Sequence, residues 1–392
     1  MFLNKFLITF ADVMSTAGPA RGHICFIASV HPHAFEPRLF HREAASLVRA
    51  GYAVTLIVGH DRSGVVDGVD IIALDVPSNR WWRTTGHALK VFRLALATRA
   101  AAYHFHSPEF IPWALLLRAL GKPVIYDAHE AYRDKVATRT HVPKLFRAPI
   151  GRVINLMERL ASHLLSHVFA ADSHVAAQFR SDLVTVLANY PVLSQVRAAV
   201  AGAPGRATDG RTVVAYVGDL TRERGITQML DAMDLLHREA IQLRLLGRWE
   251  RQDDADRAAG MANVHYGGFV PMVEVFRELA AAHVGLVVLQ PVPAYRYAGE
   301  NTNKLFEYLA LGLAVVASDF PNLRRFVADA GTGYCVDPAS AADLAAAVRH
   351  LHEHPEERAA MGERGRRAVE ERWNWEAEQQ KLLDVYARLL PA

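Results

Sequence analysis

The chain has 392 residues, of which 51% are hydrophobic and 22% are charged, and its formal net charge is +3. This length and composition predict a globular protein of two domains, and so small a net charge does not call for nucleic acid as a partner. We expect no zinc cluster, no disulfide and no membrane span: the 19 histidines and two cysteines lack metal-ligand spacing, the cysteines fall in separate predicted strands, and no apolar run reaches the roughly 18 residues of a membrane-spanning helix.

The first 20 residues leave two interpretations open. The apolar stretch 6–10 follows Lys5, as in a signal peptide, but Asp12 interrupts it. The interpretation that we favour is a disordered extension, with translation starting at Met14. We therefore assign residues 1–20 to an N-terminal extension.

From His23 onwards, apolar strands alternate with helical patterns. The first two strands are predicted at 23–29 and 52–59, with a helix at 37–50 that Gly51 ends. Further strands are predicted at 69–75, 102–107, 123–129, 167–172 and 184–189. Because this alternation builds parallel sheets covered by helices, we predict an N-terminal Rossmann-like domain over 21–195.

The stretch 76–108 contains no acidic residue but has a pair of tryptophans, Trp81 and Trp82, and an apolar helical face. The face consists of Leu89, Phe92 and Leu96, and the cations are Arg80, Arg83, Lys90, Arg93 and Arg99. A basic amphipathic helix of this kind suits an anionic membrane surface, and the segment 144–147 has the same character. The alternative is a helix packed on its own sheet, with solvated arginines.

Histidines and carboxylates cluster at the predicted ends of two strands in the first half. His104 and His106 end one strand, and Asp127, His129 and Glu130 end the next. Because neighbouring parallel strands end at the same edge of a sheet, we expect these side chains in one crevice. A lone histidine at a strand end is usually a surface or capping group, whereas three together indicate a functional site.

Small residues at 198–206 interrupt the alternation and indicate a linker, which we place at 196–210. A second alternating series begins with a strand at 212–218. Its later strands are predicted near 241–247, 264–270, 284–290, 314–320 and 332–337. We therefore predict a second Rossmann-like domain over 211–372, followed by a closing helix at 375–390 within 373–392. The fold class is α/β, with two doubly wound domains facing across a deep cleft.

Two segments of the second half suit a diphosphate. The turn 218–225 connects a strand to a helix and carries Arg222 and Arg224. Within 303–319 a short helix ends at Gly312 and a buried strand follows. The N–H groups of its first turn favour an anion, and Glu307 is placed to accept hydrogen bonds from ribose hydroxyls. On geometry alone, a solvated turn is the simpler interpretation of 218–225, and an ordinary helix–strand unit with a solvated glutamate explains 303–319 equally well.

The segment 303–319 resembles the donor-site signature of retaining GT-B glycosyltransferases, specifically the large family-4 group, and the resemblance extends from about His23 to Leu390. It implies the GT-B fold and a nucleotide-diphosphate sugar as substrate, with no cofactor. In that fold the domain 21–195 carries the acceptor side, the domain 211–372 binds the nucleotide sugar, and the closing helix packs back on the first domain. The residues themselves predict no metal, because the acidic segment 253–256 indicates a solvated face and arginine, lysine and helix dipoles meet the phosphate charge. The chain departs from the family at Gly299, where the earlier of two glutamates is usual; Glu300 follows one place later.

The resemblance assigns roles to individual residues. Glu307 matches the nucleotide-ribose ligand and Arg224 a phosphate-binding lysine, while Asp219 occupies the other basic position, so Arg222 is expected to supply that charge. Backbone groups around Gly247 and at 268–271 are expected to bind the base. The implied site comprises His129 and Glu300 for catalysis, Arg222, Arg224, Gly247, Asn303, Lys304 and Glu307 for the donor, and His106 and Glu130 on the acceptor side.

The sequence therefore predicts a metal-independent, retaining hexosyltransferase that uses a UDP-sugar, with a GDP-sugar as the alternative. We expect the acceptor to be a cell-surface glycan or a lipid-linked glycan, reached in the cytoplasm or at the inner face of the cytoplasmic membrane. Two other functions stay open. One is a sugar-nucleotide epimerase of the same architecture, and the other is a catalytically silent nucleotide- or glycan-binding scaffold, which Asp219 and Gly299 suggest.

Overall fold

The computed structural model describes residues 21–79, 82–138, 142–180, 182–203, 205–206, 209–293 and 295–391. The predicted N-terminal extension, 1–20, and two residues of the basic stretch, Arg80 and Trp81, lie outside these ranges. The described chain forms two compact units. One comprises the residues up to His104 together with the C-terminal segment from Tyr386, and the other comprises Phe105–Val385.

The predicted strands are all present, with ends that differ by a few residues, and one further strand, β3, is not among the predictions. The described strands are β1 (His23–Ala28), β2 (Ala53–Gly59), β3 (Gly64–Val66), β4 (Val69–Leu74), β5 (Ala102–Phe105), β6 (Val124–Ala128), β7 (His167–Ala170), β8 (Val184–Val186), β9 (Thr212–Val217), β10 (Ile241–Leu246), β11 (Val264–Gly268), β12 (Val284–Val287), β13 (Ala314–Ser318) and β14 (Gly333–Val336).

Helices separate most of these strands. The described helices are α1 (π-helical Pro37–Ala44, then Ala45–Arg49), α2 (π-helical Arg83–His87, then Ala88–Ala97), α3 (Pro108–Phe110, then Ile111–Ala119), α4 (Tyr132–Thr138), α5 (Lys144–Ser162), α6 (Ser173–Ala176), α7 (Leu193–Val200), α8 (Arg222–Arg224, then Ile226–Leu235), α9 (Gln252–Ala259), α10 (Met272–Ala280), α11 (Asn303–Ala310), α12 (Pro321–Arg324), α13 (Ala341–Glu353), α14 (Pro355–Glu371) and α15 (Trp375–Leu389). Among them, none combines the length and the apolar character that crossing a bilayer requires.

In the first unit the strand order is β3-β4-β2-β1-β5, and β3 pairs antiparallel with β4. Asp67 and Gly68, between these two strands, have positive φ angles of 48° and 80°. A two-residue hairpin turn of type I′ requires positive φ at both positions, and Asp-Gly is its usual sequence. This dipeptide between two valine-containing runs is therefore the sequence signal for β3.

The basic helix α2 packs on β1 and β2 in the first unit. Its residues Val91 and Ala95 are fully buried, and Leu89, Phe92 and Leu96 are half-buried. The apolar face thus turns towards the sheet, as in the alternative interpretation of this stretch.

Histidine 104 is a core residue of the first unit. Its Nδ1 lies 2.9 Å from the hydroxyl of Tyr386, and both side chains are fully buried. The ring of Tyr386 also packs against that of Tyr52, with centroids 5.9 Å apart. His104 therefore has a structural partner.

The second unit contains β6, β7 and β8, which are parallel neighbours, and a six-stranded parallel sheet. The order of the latter is β11-β10-β9-β12-β13-β14. From β9 the chain continues to β10 and β11 on one side of the sheet, whereas from β12 it continues to β13 and β14 on the other side. The connections that leave β9 and β12 therefore run in opposite directions. Open α/β sheets bind ligands in the crevice that such a reversal leaves at the carboxyl ends of the strands. The predicted α/β class with parallel sheets is confirmed.

Close packing fixes helix α11 beneath this crevice. Tyr308 is fully buried, and its hydroxyl accepts a hydrogen bond of 2.9 Å from the N–H of Val217 at the end of β9. Its ring occupies the space that a side chain on β12 would fill, because a Cβ at Gly285 would lie 2.3 Å from it. Gly312 follows the helix with φ 68°, the left-handed conformation predicted for it.

The predicted linker, 196–210, begins inside a helix, because α7 extends to Val200. Val196 and Ala199 are buried and pack with Phe276. Alanine has the highest helix propensity, so a run of small residues is ambiguous between linker and helix. The predicted domain borders at 21–195 and 211–372 stay predictions.

Gly362 on α14 allows the backbone after α11 to approach closely. A Cβ at Gly362 would lie 2.1 Å from the carbonyl oxygen of Gly312. Replacing a helix-interior glycine by alanine ordinarily stabilises a helix by about 1 kcal/mol. Here we expect Gly362→Ala to lower the free energy of unfolding, measured in urea, by about 1–3 kcal/mol, as overpacking does.

Gly260→Ala is the matched control, because a Cβ at that helix end would meet nothing closer than 3.4 Å. We expect this change to be neutral or mildly stabilising. Equal losses in both variants would contradict the packing argument.

Candidate functional site

A cavity of about 540 Å³ lies within the second unit, at the carboxyl ends of β9 and β12. One wall consists of the loops after these strands and the start of α11, and the other consists of segments that follow β6 and β7. Four of the predicted donor-site residues and one predicted acceptor-side residue line this cavity. They are Arg224, Asn303, Lys304, Glu307 and Glu130.

Lys304 places an unpaired amine in this cavity. Its Nζ is buried, has no hydrogen-bond partner among the described residues, and lies 3.9 Å from the centre of the Tyr216 ring. Burial, and next the positive charge of Arg224, hold the pKa of Lys304 well below its usual value, against the opposing effect of Glu307. An unpaired buried amine costs stability. This is the arrangement expected where an anionic ligand completes the site.

Arg224 places a second positive charge beside Lys304. Its Nε donates a hydrogen bond of 3.1 Å to the hydroxyl of Tyr295, which orients the guanidinium. Its Nη1 lies 3.5 Å from Oδ2 of Asp219, a carboxylate that is 59% exposed. Because water screens so exposed a pair, Asp219 neutralises Arg224 only weakly.

Two glycines of the turn 218–225 make space for these cations. A Cβ at Gly218 would lie 3.0 Å from Nζ of Lys304 and 3.2 Å from Nη1 of Arg224. A Cβ at Gly225 would lie 2.1 Å from the carbonyl oxygen of Val288, so the turn can pack onto the end of β12 only with glycine there. Both glycines also have positive φ angles, of 126° and 83°. The turn is thus held by backbone contacts that leave the cations accessible.

The N-terminus of α11 faces the same space. Thr302, Asn303 and Lys304 line the cavity, and so does Glu307, a buried carboxylate one turn into the helix. The Oδ1 atom of Asn303 is buried and has no hydrogen-bond partner within the described ranges. The positive end of the helix dipole adds to the two cations, whereas the carboxylate suits hydroxyl donors. The cavity can therefore bind an anion and, next to it, a hydroxyl-bearing group.

Arg222 does not belong to this site, contrary to the prediction. Its guanidinium pairs with Asp254 at 3.0 Å and with Asp253 at 2.9 Å, both on α9, and it does not line the cavity. Asp254 is buried, so the segment 253–256 is not simply a solvated face either. Lys304 supplies the second charge instead.

Gly247 has a structural role in place of the predicted contact with the base. Its N–H donates to the carbonyl of Gly268 at 2.8 Å, and its own carbonyl accepts from the hydroxyl of Tyr266 at 2.9 Å. A Cβ at Gly247 would lie 1.9 Å from the carbonyl oxygen of Gly218. Glycine is required here because two loops of the crevice meet backbone to backbone.

The carboxylate of Glu300 is directed away from the cavity, which differs from its predicted catalytic position. Its Oε1 accepts a hydrogen bond of 2.9 Å from Ser173 Oγ and lies 3.6 Å from Arg325. A Cβ at Gly299 would lie 3.0 Å from Cβ of Asn322, so the glutamate usual in the family would not fit without displacement. Glu300 therefore ties the loop before α11 to the start of α6.

His174 and Tyr297 line the cavity but are not among the predicted residues. Their rings stack with centroids 4.0 Å apart, and Nε2 of His174 lies 2.9 Å from Oδ2 of Asp134. Asp172 caps the short helix that carries His174 by accepting a hydrogen bond of 2.7 Å from the N–H of Val175. A signal was available, because Asp-Ser-His directly follows β7 at the strand edge that also carries His129.

The predicted residues at the end of β6 form a polar cluster. Oδ2 of Asp127, which is fully buried, lies 2.8 Å from Nε2 of His129 and 3.2 Å from Nδ1 of His106. Asp127 accepts a hydrogen bond from Nε2 of His129, and the same nitrogen lies 3.0 Å from Nδ1 of His106, so the carboxylate and the two imidazoles form one hydrogen-bonded cluster. The side chain of His129 is 21% exposed and does not line the cavity, whereas the next residue, Glu130, does and is paired with Lys135.

One metal-ligand grouping of the second unit lies away from the cavity. Ligand-type atoms of His350, His354 and Glu357 lie within 4.8 Å of one another. Nε2 of His350 is 2.9 Å from the carboxylate of Glu357, and Nδ1 of His354 is 2.8 Å from the carbonyl oxygen of His350. Nε2 of His350, Nδ1 of His354 and the carboxylate of Glu357 therefore already have hydrogen-bond partners within the cluster.

Comparison with known families matches most of the chain. The glycosyl transferases group 1 model matches residues 203–368, and the glycosyl transferase 4-like domain model matches residues 38–193. A curated glycogen synthase from Alkalilimnicola ehrlichii is 29% identical over 226 residues, which are 55% of this chain and 45% of the synthase. The chain thus spans less than half of that relative.

Solved structures share the fold. Sucrose-phosphate synthase from Thermosynechococcus elongatus has a TM-score of 0.71 at 21% identity, covering 94% of this chain and 98% of its own. HepE from Anabaena, solved in complex with UDP-glucose, has a TM-score of 0.67 at 14% identity, covering 94% of this chain and 100% of its own. These matches support the GT-B architecture.

Lys304→Met should separate stability from ligand binding. Removing an unpaired buried amine should raise the free energy of unfolding by about 1–3 kcal/mol. In the folded state the pKa of Lys304 lies below its value in the unfolded chain. At pH values between these two pKa values, the unfolded chain therefore binds more protons than the folded chain. The gain should therefore be full at pH values below the folded pKa and shrink as pH rises towards about 10. Urea unfolding across pH measures this.

Lys304→Met should also weaken UDP binding. Loss of a charge-assisted contact should reduce the affinity roughly 10- to 150-fold, as measured by calorimetry.

Arg222→Gln is the matched control. It should lower stability, because buried Asp254 loses its partner, and it should leave UDP affinity unchanged. The opposite pattern, with UDP affinity dependent on Arg222 and independent of Lys304, would return Arg222 to the diphosphate site.

Proposed function

Because the chain belongs to the GT-B glycosyltransferases of the family-4-like group, we propose that it is a retaining, metal-independent hexosyltransferase. The donor is a nucleotide-diphosphate sugar, a UDP-sugar in preference to a GDP-sugar, and the acceptor is a cell-surface glycan or a lipid-linked glycan. The observation that carries the proposal is the buried amine of Lys304, which has no hydrogen-bond partner among the described residues and stands beside Arg224 at the N-terminus of α11.

The diphosphate is assigned to these two cations. Negative charge grows on the leaving diphosphate as the sugar–phosphate bond breaks, and preorganised positive groups stabilise that charge. An anion bound next to Lys304 raises the pKa of the amine again, since a nearby negative charge favours the ammonium form. The diphosphate would therefore favour the charged form of Lys304, and the positive charges of the site would take the place of a divalent metal ion.

The rest of the donor is assigned to the neighbouring walls. The carboxylate of Glu307 suits the ribose hydroxyls, which are hydrogen-bond donors. The sugar would then lie between α11 and the wall that carries Glu130 and His174, since both walls line one cavity. The UDP-glucose bound by HepE, which has the same fold, supports a UDP-sugar as the donor.

His129 is assigned to the reaction centre, with its ring oriented by Asp127. His106 acts through the same carboxylate and is a positioning residue. Glu130 is on the acceptor side of the cavity wall, and Glu300 holds the loop before α11 through Ser173. Transfer is proposed to take place in the cytoplasm or at the inner face of the cytoplasmic membrane, where a lipid-linked acceptor would be presented.

A panel of nucleotide sugars tests this function. The chain is incubated separately with UDP-glucose, UDP-galactose, UDP-N-acetylglucosamine and GDP-mannose, and slow donor hydrolysis is followed by NMR. We expect one UDP-sugar to release UDP and a free sugar whose first-formed anomer is that of the donor, with the same rate in excess EDTA.

Each other outcome has a distinct meaning. An epimeric sugar nucleotide indicates an epimerase, and tight UDP binding without turnover indicates a scaffold. An inverted first-formed anomer excludes retention. Activity that is lost in EDTA and restored by Mg²⁺ or Mn²⁺ contradicts the metal-independent mechanism.

His129→Ala should reduce turnover of the preferred donor while leaving its affinity nearly unchanged. A group that acts mainly in the transition state has this signature, and the loss should be about 100-fold in kcat. His237→Ala is the control, because that exposed histidine does not line the cavity and bonds only to its neighbours, the carbonyl of Asp234 and Nε of Arg238. A weaker UDP affinity with unchanged kcat would place His129 in donor binding instead.

A further inference from the structure

Helix α5 is oriented with its large apolar side chains towards solvent. The residues that it buries are small or polar, namely Gly151, Glu158, Ala161 and Ser162. A Cβ at Gly151 would lie 3.2 Å from the carbonyl oxygen of Arg133 on α4, and Glu158 accepts a hydrogen bond of 2.7 Å from buried Tyr126. These contacts fix the rotation of the helix about its axis.

The opposite side of α5 is a continuous apolar stripe. Its members follow one another at intervals of one, three or four residues, which places them on one broad helical face. They are Leu145, Phe146, Ile150, Val153, Leu156, Met157 and Leu160, followed by Leu164 just beyond the helix, with exposed fractions from 40% to 81%. In an ordinary surface helix this stripe would face the core.

The stripe continues onto helix α3, whose end packs against α5. Leu116 and Leu120 are 48% and 59% exposed, and Nε of Arg118 donates a hydrogen bond of 3.1 Å to the carbonyl of Leu164. An exposed apolar surface of this extent on a folded protein marks an interaction site.

The polar residues of α5 restrict the identity of the partner. The helix carries Lys144, Arg147, Arg152 and Arg159, and its only acidic residue is the buried Glu158. Ion pairs within the described residues involve none of Lys144, Arg152 or Arg159. The apolar stripe is thus flanked by positive charge with no exposed carboxylate on the helix.

We infer that α5 is a docking surface for an anionic phospholipid bilayer, lying in the plane of the headgroups with its apolar stripe among the upper acyl chains. Interfacial helices combine these features: a leucine- and phenylalanine-rich face, cationic flanks and no charge on the apolar side. At about 1.5 Å per residue, its 19 residues give roughly 28 Å of contact along the surface.

A second copy of the chain fits this surface poorly. Pairing two stripes would bring the cationic flanks of both helices together, with no carboxylate on either helix to neutralise them. Anionic headgroups supply that negative charge. The inference names the surface for the peripheral attachment included in the proposed function, and vesicle binding can be measured separately from UDP binding.

Vesicle binding tests the assignment. The full chain is sedimented at low salt with vesicles of phosphatidylglycerol and phosphatidylcholine, and with vesicles of phosphatidylcholine alone. We expect binding to the anionic vesicles only. Phe146→Ser/Leu156→Ser/Leu160→Ser should abolish it, and Lys144→Gln/Arg152→Gln/Arg159→Gln should weaken it about 100-fold, at roughly five-fold per cation.

The matched control is Arg83→Gln/Lys90→Gln/Arg93→Gln on α2, which removes three cations of the other basic segment and should leave vesicle binding unchanged. All variants should keep the wild-type UDP affinity, which shows that they are folded and that the donor site is intact. A wild-type chain that does not bind UDP would count against the proposed function and not against this surface.

Three results would overturn the inference. One is a wild-type chain that ignores anionic vesicles at low salt. Another is binding that depends on the α2 cations and not on α5. The third is a concentration-dependent dimer that Leu156→Ser dissociates in the absence of vesicle binding, which would assign the stripe to a second copy of the chain.

Discussion

The burial of an amine without a hydrogen-bond partner is the constraint on which the cavity depends. Lys304 cannot escape to solvent, because Tyr216 lies beneath its Nζ and helix α11 is anchored through Tyr308 to the end of β9. A lowered pKa reduces the cost of this position while no anion is present. A bound anion therefore favours the charged form of Lys304, whereas Arg224 is charged with or without a ligand. In a site of this kind, the unfavourable burial of the amine is offset by an ion pair when an anion binds.

Glycine, rather than any charged residue, determines where the two cations can stand. At two places around the crevice a carbonyl oxygen occupies the space that a side chain would need: beside Gly225 and beside Gly247, at 2.1 and 1.9 Å from an added Cβ. Backbone packed against backbone has few rotamers to order and little room to shift. The turn 218–225 can hold Arg224 in place because of these contacts, although neither glycine lines the cavity.

Sequence patterns predicted where the strands lie along the chain and which turns line the cavity, but not the residue with which each side chain pairs. Arg222 and Arg224 are two residues apart on one turn, yet Asp254 on α9 captures the first, and no spacing rule anticipates a contact 32 residues away. Likewise, Ser173 binds Glu300 across 127 residues. The predicted donor residues that line the cavity all stand on the first turns of α11 or next to a glycine of the 218–225 turn. There the local backbone starts each side chain towards the cavity, and Tyr295, 71 residues away from Arg224, sets the direction of its guanidinium.

The same limit explains helix α5. Its spacing of apolar residues predicts an amphipathic helix, and a sequence alone gives the existence of the two faces without stating which one is turned inwards. The choice is made by Gly151, which permits close contact with α4, and by Glu158, whose burial raises its pKa to about 7 while Tyr126 hydrogen-bonds to it. A buried carboxylate is a costly anchor, and a row of exposed leucines adds to the cost. Both features become understandable together if the outer face of the helix is normally covered.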